Sequence, residues 1–185
     1  MARRAVEADP LNAYNHWARG QAAWGLNRLA EAEEAYRRAT ALLPDAAGLH
    51  GFFANMLLSA NKPAEAVAEA EREPDTNYRQ IALPVALDAA GRTADAERAI
   101  AVVERDYGDK EALEIAVFYA CRRDADRAIA WLTRWVASGG TDLRTLPNRV
   151  ACLASLDPDP RYQALKRQMH EATLPASRAD PARTR

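Results

Sequence analysis

Three histidines and two cysteines are the side chains in this sequence best suited to hold a transition metal. His16, His50 and His170 each lack a second ligand at a metal-binding spacing, and neither Cys121 nor Cys152 belongs to a Cys-x-x-Cys pair. We therefore expect no metal centre and no cofactor. Both cysteines are interpreted as free thiols in or near the core.

Other arrangements that could support catalysis are also missing. The sequence has no Gly-x-Ser-x-Gly elbow, no glycine-rich phosphate loop and no His-Glu-x-x-His helix. Asp157 and Asp159 alternate with prolines, but the central glycine of a calcium loop is absent, so helix capping explains Asp159 better. Glu31, Glu33 and Glu34 suit the solvated face of a helix. The sequence thus predicts a protein that is not an enzyme.

Composition limits the partners that the chain is expected to have. The 25 basic and 26 acidic side chains are mixed along 185 residues and give a net charge of -1, which leaves no basic footprint for nucleic acid. The longest apolar runs fall well short of the roughly 18 to 20 residues that span a bilayer. No apolar segment follows the first four residues. We expect a cytoplasmic protein that binds neither nucleic acid nor membrane.

A short pattern occurs four times along the chain and marks a repeat protein. It ends on an alanine each time, at Ala32, Ala66, Ala96 and Ala128. The first three copies begin with a residue that tolerates a left-handed backbone, Asn27, Asn61 or Gly91. An acidic residue, favoured at a helix N-terminus, precedes each of their alanines. Each copy therefore predicts the turn inside a hairpin of two helices.

The first complete unit, residues 13–46, resembles the tetratricopeptide repeat family. The family's repeat has small residues at three positions, an aromatic residue at a fourth and a proline near its end. In this chain the small positions hold Gly20, Ala32 and Ala39, the aromatic position holds Tyr36, and the proline is Pro44. His16 and Arg19 stand where large apolar residues are usual. The resemblance implies an all-α fold, a right-handed α-α superhelix of about four helix hairpins plus a C-terminal helix, with essentially no sheet.

We expect a single repeat domain over residues 1–174 and a disordered tail over 175–185. The expected divisions of the domain are a partial repeat 1–12, repeats 13–46, 47–76, 77–108 and 109–140, and a capping segment 141–174. Pro84, inside the first helix of the third repeat, predicts a kink.

Both ends of the chain carry specific expectations. Residues 2–10 read as the last turns of a preceding unit, so the chain is expected to begin in mid-repeat, and a homodimer through this uncapped end is an open alternative. At the other end, Asp159 as N-cap and Pro160 at the first helical position predict a final helix. Its Tyr162, Leu165 and Met169 fall on one face, which can cover the fourth hairpin.

The segment from Leu156 to Leu165 is similar to the close of tetratricopeptide segments attached to bacterial nucleotide cyclases and winged-helix regulators. In those segments a leucine, Asp-Pro-Arg and an aromatic residue precede the last helix. This resemblance implies an alternative function, in which the chain is the non-catalytic regulatory portion of a larger bacterial signalling or transcription protein.

The leading hypothesis is a protein-protein interaction scaffold that binds a partner segment in its concave groove. One stripe along a single helix consists of four residues with a 3-4-3 spacing: Tyr14, Trp17, Gln21 and Trp24. The family resemblance places this stripe in the groove, and the stripe continues through Asn55, Tyr78, Ile81, Val85 and Asp88. Aromatic side chains with a polar edge are common anchors of interfaces. The alternative is that Trp17 and Trp24 pack in the core, where Trp131 and Trp135 are also expected.

One comparison with the family indicates how polar the partner is expected to be. Members that bind chaperone tails carry Lys, Asn, Lys and Arg where this chain has Trp17, Phe52, Tyr78 and Ala82. In those members the residues form a clamp that holds two carboxylates, and Asn55 is the one residue of this chain that matches the clamp. The resemblance therefore favours a protein or peptide partner that is more apolar than a chaperone tail.

Overall fold

The computed structural model describes residues 8–141 and 147–173, together with Arg4, Val6 and Leu143. Ten helices lie in these residues, and no strand does. They are α1 (Ala13–Gly25), α2 (Leu29–Leu42), α3 (Leu49–Ser59), α4 (Pro63–Arg72), α5 (Thr76–Ala89), α6 (Thr93–Tyr107), α7 (Ala112–Cys121), α8 (Ala125–Ala137), α9 (Pro147–Ala154) and α10 (Pro160–Thr173). Residues 1–3 and 174–185, which include the predicted tail, lie outside the described residues.

Consecutive helices pack as antiparallel hairpins, which stack along the chain. Four hairpins are formed by the pairs α1 and α2, α3 and α4, α5 and α6, and α7 and α8. The second helix of each hairpin packs on the first helix of the next. The predicted α-α superhelix is confirmed. Helix α9 was not predicted, because eight residues are too few to show a helical hydrophobic period.

The four turns inside these hairpins share one geometry. Asn27, Asn61, Gly91 and Arg123 all have a left-handed backbone, with φ between 56° and 75°. In the first turn, the Asn27 amide donates to the Trp24 carbonyl and the Arg28 amide to the Ala23 carbonyl, both at 2.8 Å. These are the hydrogen bonds of a Schellman motif, and they recur in the other three turns. The predicted left-handed helix ends are therefore confirmed.

Small residues allow the two helices of the first hairpin to cross closely. Ala32 is fully buried, and a Cβ added to Gly20 would lie 2.9 Å from Cδ2 of Tyr36. Tyr36 in turn stacks on Phe53 of the next hairpin, with ring centroids 5.6 Å apart. The repeat pattern thus positions one aromatic ring between two neighbouring hairpins.

Helix α5 continues from Thr76 to Ala89 with Pro84 inside it. Proline has no amide hydrogen, so one backbone hydrogen bond of the helix is lost at this position. Asp75 caps its start by accepting from the amides of Asn77 and Tyr78. The early cap explains why the second repeat is short.

The expectation of free thiols is wrong, because Cys121 and Cys152 form a disulfide with an S–S distance of 2.04 Å. The pairing depends on α9, which places Cys152 beside the end of α7. Since that helix was not predicted, the two cysteines could not be paired from the sequence. None of the described helices is both long enough and apolar enough to cross a membrane.

Two further helices, α9 and α10, close the described part of the chain. Helix α10 begins at Pro160 as predicted and packs on α8. Its Tyr162, Leu165 and Met169 are buried, which confirms that this face covers the fourth hairpin. Trp131 and Trp135 on α8 are half-buried and pack against the core.

Candidate partner-binding surface

A continuous row of aromatic rings crosses α1, α3 and α5 and consists of Trp17, Phe52 and Tyr78. Tyr14 lies one turn before Trp17 on α1, and we call these four side chains the aromatic surface. The ring centroids of Trp17 and Phe52 are 5.8 Å apart, and those of Phe52 and Tyr78 are also 5.8 Å apart. Tyr14 is 58% exposed and Tyr78 is 41% exposed. Three hairpins thus contribute to one aromatic patch that solvent can reach.

Helix caps fix the positions of the two exposed tyrosines. Asn12 accepts from the Tyr14 amide at 3.0 Å, and Asp75 accepts from the Tyr78 amide at 3.2 Å. Both tyrosines therefore lie in the first turn of their helices. Because the caps stabilise the first turn of each helix, the backbone that carries each tyrosine ring is held in a defined position.

Glycine makes room for the Tyr78 ring at the start of α3. Gly48 has a φ of 86°, and a Cβ there would lie 3.2 Å from Cζ of Tyr78. Gly51, one turn later, would bring its Cβ to 3.4 Å from Cβ of Tyr78. A side chain at Gly48 would therefore be strained by its backbone angle and would crowd the Tyr78 ring, whereas one at Gly51 would only touch it.

A buried carboxylate holds the start of α3 in place. Glu73 is fully buried and accepts from the amides of Gly48 at 2.9 Å, Gly51 at 2.8 Å and Asp75 at 3.1 Å. A negative charge at a helix N-terminus is favoured by the unpaired amides and the helix dipole. Glu73 therefore links the end of α4 to the helix on which Tyr78 rests, a role that the sequence did not reveal.

Trp17 belongs partly to the core and partly to the aromatic surface. It packs against Ala39, Ala46 and Leu49 on its buried side and meets Phe52 edge-on. Its indole nitrogen is buried and has no hydrogen-bond partner among the described residues. Its large apolar ring therefore contributes mainly by packing at the base of the patch.

Two of the predicted groove residues lie beneath the surface. Trp24 is 2% exposed, and its indole donates to Ser59 Oγ at 2.8 Å. Asn55 is 4% exposed, and its amide donates to the Gly51 carbonyl at 2.9 Å. Trp24 thus links two hairpins and Asn55 is bonded within α3, and because both side chains are buried, neither is available to a partner at this surface.

The remaining predicted residues are half-exposed and fall into two places. Gln21 and Ile81 are each partly accessible on α1 and α5. Val85 and Asp88 line a separate cavity of about 240 Å³, which the disulfide also borders. Asp88 lies 3.5 Å from Arg122. Phe52, which joins Trp17 to Tyr78, was not among the predicted residues, although it lies one turn before Asn55.

The histidines form no metal site within the part of the chain that the structure describes, where no three His, Cys, Asp or Glu side chains come together. Nε2 of His16 lies 2.9 Å from the Pro10 carbonyl, and Nε2 of His50 lies 3.1 Å from the Pro44 carbonyl. Each histidine thus links the start of a hairpin to a proline six residues earlier.

No family model matches the chain, and no curated protein matches it. Several solved structures are similar to the chain. The type IV pilus biogenesis factor PilW is 16% identical, with a TM-score of 0.59 over 92% of this chain and 82% of PilW. The pilF protein of Pseudomonas aeruginosa is 18% identical, with a TM-score of 0.58 over 93% of this chain and 81% of pilF.

At these identities the comparisons bear on the fold alone. The resemblance of residues 156–165 to the tails of nucleotide cyclases and winged-helix regulators stays a prediction. The helix hairpins, their left-handed turns, the small residues at their crossings and the two solved structures agree on one architecture. The chain has a tetratricopeptide-like fold.

Proposed function

We propose that this chain is a protein-protein interaction scaffold, and that a segment of its partner binds at the aromatic surface. The observation that carries the proposal is the unbroken contact from Trp17 through Phe52 to Tyr78 across three hairpins, with Tyr14 and Tyr78 left exposed. Gln21 and Ile81, which are half-exposed on the same helices, would extend the contact with the partner.

The chemistry of this surface indicates the kind of segment that it would bind. Tyrosine and tryptophan combine a large apolar ring with a polar edge, and they provide much of the binding energy in many interfaces. None of the four side chains carries a charge. We therefore expect a partner segment with apolar side chains that cover the rings, not one recognised chiefly through its carboxylates.

The proposal includes a non-catalytic role that requires no cofactor and no nucleic acid. It is supported by the absence of catalytic motifs from the sequence and by the formal net charge of -1. The Cys121–Cys152 disulfide favours an oxidising compartment over the predicted cytoplasmic location, because disulfides persist mainly in oxidising compartments. The homodimer through the N-terminal end stays an untested alternative.

The test compares three forms of the chain in capture experiments with an extract of the source cell. In the variant Y14A/Y78A the two exposed rings are removed while the buried part of the surface stays intact. Leu26→Ala is the matched control, since Leu26 is 64% exposed but lies at the turn after α1. All three forms should give the same helical circular dichroism spectrum.

We expect a partner that is captured by the wild type and by Leu26→Ala but is weakened at least about tenfold in Y14A/Y78A, the loss typical of an interface anchor. A peptide from that partner, titrated by calorimetry, should show the same ranking. If the partner binds Y14A/Y78A as well as it binds the wild type, the aromatic surface is not the binding site.

A further inference from the structure

Helix α9 closes a ring with α3, α5 and α7, which are the first helices of the second, third and fourth hairpins. Helix α3 contacts α5, α5 contacts α7, α7 contacts α9, and α9 returns to contact α3. Helix α9 therefore does more than extend the array, because it lies against the first helix of a hairpin far earlier in the sequence. What holds α9 in this place decides whether the ring is closed.

The two ends of α9 are anchored very differently. Leu153 is 4% exposed, and Leu156 just after the helix is 2% exposed, so this end is part of the main core together with α10. Among the described side chains of residues 147–152 none is buried, and Val150 is 51% exposed. Apolar packing thus holds the end of α9 but not its first turns.

Two cross-links hold those first turns against α7. Cys152 is bonded to Cys121, and the Arg149 guanidinium is paired with the Glu114 carboxylate. A helix of eight residues is far too short to be stable in water without such support. The side chains of the ion pair are only 11% and 20% exposed, so the pair also supports this position, but the disulfide is the covalent link.

The disulfide is also open to chemical attack. Cys121 and Cys152 are both only half-buried, and both line the cavity of about 240 Å³ described above. The other walls of this cavity come from the ends of three first helices, with Leu58 on α3, Val85 on α5 and Phe118 on α7. A small thiol can therefore approach the sulfur atoms from the cavity.

We propose that the Cys121–Cys152 disulfide is a redox latch, which a dithiol reductant opens to free residues 147–152 from α7 and to uncover the cavity between α3, α5 and α7. Leu153 and Leu156 stay in the core and act as the hinge. This inference is independent of partner binding at the aromatic surface, because it concerns a different part of the ring.

The exchange reaction is balanced as follows. A thiolate of the reductant attacks one sulfur atom, the S–S bond breaks, and the other cysteine leaves as a thiolate. The second thiol of the reductant, as its thiolate, then displaces the first cysteine from the mixed disulfide. The reductant ends as a disulfide, and the chain ends with two thiols, Cys121 and Cys152, after their thiolates take up the two protons that the reductant released.

Hydrogen exchange of the full chain, followed by mass spectrometry, tests the latch with dithiothreitol as the reductant. We expect the amides of residues 148–152 to exchange at least about tenfold faster after reduction, because local opening controls exchange. The amides of α1, α2 and α10, whose main packing contacts are with helices other than α9, should be unchanged. The variant C121S/C152S should behave without reductant as the reduced chain does.

Arg149→Gln serves as the matched variant, because it removes the ion pair and leaves the disulfide intact. In the oxidised form it should keep residues 148–152 protected to within about threefold of the wild type, because the covalent link to α7 remains. If this variant already frees them, the ion pair is the latch and the proposal is wrong. Equal exchange in oxidised, reduced and C121S/C152S chains, or faster exchange along the whole chain on reduction, would also overturn it.

Discussion

Nδ1 of His50 lies 2.6 Å from Oε2 of Glu69, and both side chains are buried in the second hairpin. The other ring nitrogen of His50 faces the Pro44 carbonyl at 3.1 Å, while Arg72 donates to Oε1 of Glu69 at 2.8 Å. Both ring nitrogens of His50 thus face an oxygen atom, one on each side of the imidazole. The pair joins α3 to α4 through a buried side-chain contact as well as by packing.

The first prediction concerns the acid stability that Glu69 confers. Burial by itself raises the pKa of this carboxyl, but the hydrogen bond from His50 and the charges of His50 and Arg72 outweigh burial and lower it. A lowered folded-state pKa gives stabilisation that is complete above the ordinary value of 4.5 and is lost as the pH falls through the folded-state value. Glu69→Gln should therefore cost about 2 kcal/mol at pH 7 and much less in strong acid.

Urea unfolding at pH 7 and at pH 3 measures this difference. Glu71→Gln is the matched control on the same helix, since Glu71 is 54% exposed and lies 3.5 Å from an exposed arginine. It should change the free energy of unfolding by less than about 1 kcal/mol at either pH. A loss in Glu69→Gln that is the same at both pH values would show that charge does not stabilise the buried pair.

The second prediction concerns Glu73, whose carboxylate accepts three backbone amides at the start of α3 and α5. Glu73→Gln replaces one acceptor oxygen with an amino group that cannot accept, so at least one buried amide loses its partner. We expect a loss of about 2 to 3 kcal/mol in the free energy of unfolding. Glu34→Gln, at a 73% exposed side chain, should have almost no effect. Thermal unfolding followed by circular dichroism compares the two, and equal midpoints would refute the role of Glu73.

The third prediction uses two glycines of the same helix. A Cβ at Gly20 would lie 2.9 Å from the buried Tyr36 ring, whereas nothing lies within 4 Å of a Cβ at Gly25. Gly20→Ala should destabilise the chain by about 1 to 3 kcal/mol through overpacking. Gly25→Ala should be neutral or stabilising by up to about 1 kcal/mol, because alanine favours helix. Similar midpoints of denaturation for both variants would contradict the close crossing of α1 and α2.

The parts of the fold that follow local rules could be predicted from the sequence. Asn27, Asn61 and Gly91 mark helix ends because few residues tolerate their backbone angles. Ala32 and Gly20 mark a helix crossing because larger side chains would not fit there. Pro160 marks a helix start because the missing amide costs nothing at the first helical position. Each of these signals acts within a few residues, so one sequence was enough to find it.

The parts that depend on distant packing could not be predicted. Trp24 and Asn55 share the helical faces of exposed residues, but both are buried in the folded chain, Trp24 with a hydrogen bond to Ser59 of the neighbouring hairpin. The pairing of Cys121 with Cys152 required α9, whose position comes from its contacts with α7 and α3. Phe52 could have been placed on the surface by its spacing from Asn55, although only the structure shows its contacts with Trp17 and Tyr78.

The return of α9 to α3 also changes how the array should unfold. In an open repeat array each unit contacts only its neighbours, so an end unit can melt while the others stay folded. Here α9 lies against α3, the first helix of the second hairpin, and losing α9 exposes surface in the middle of the array. The hairpins are thereby coupled over long range, and the intact ring should melt in one cooperative transition, as a globular domain does.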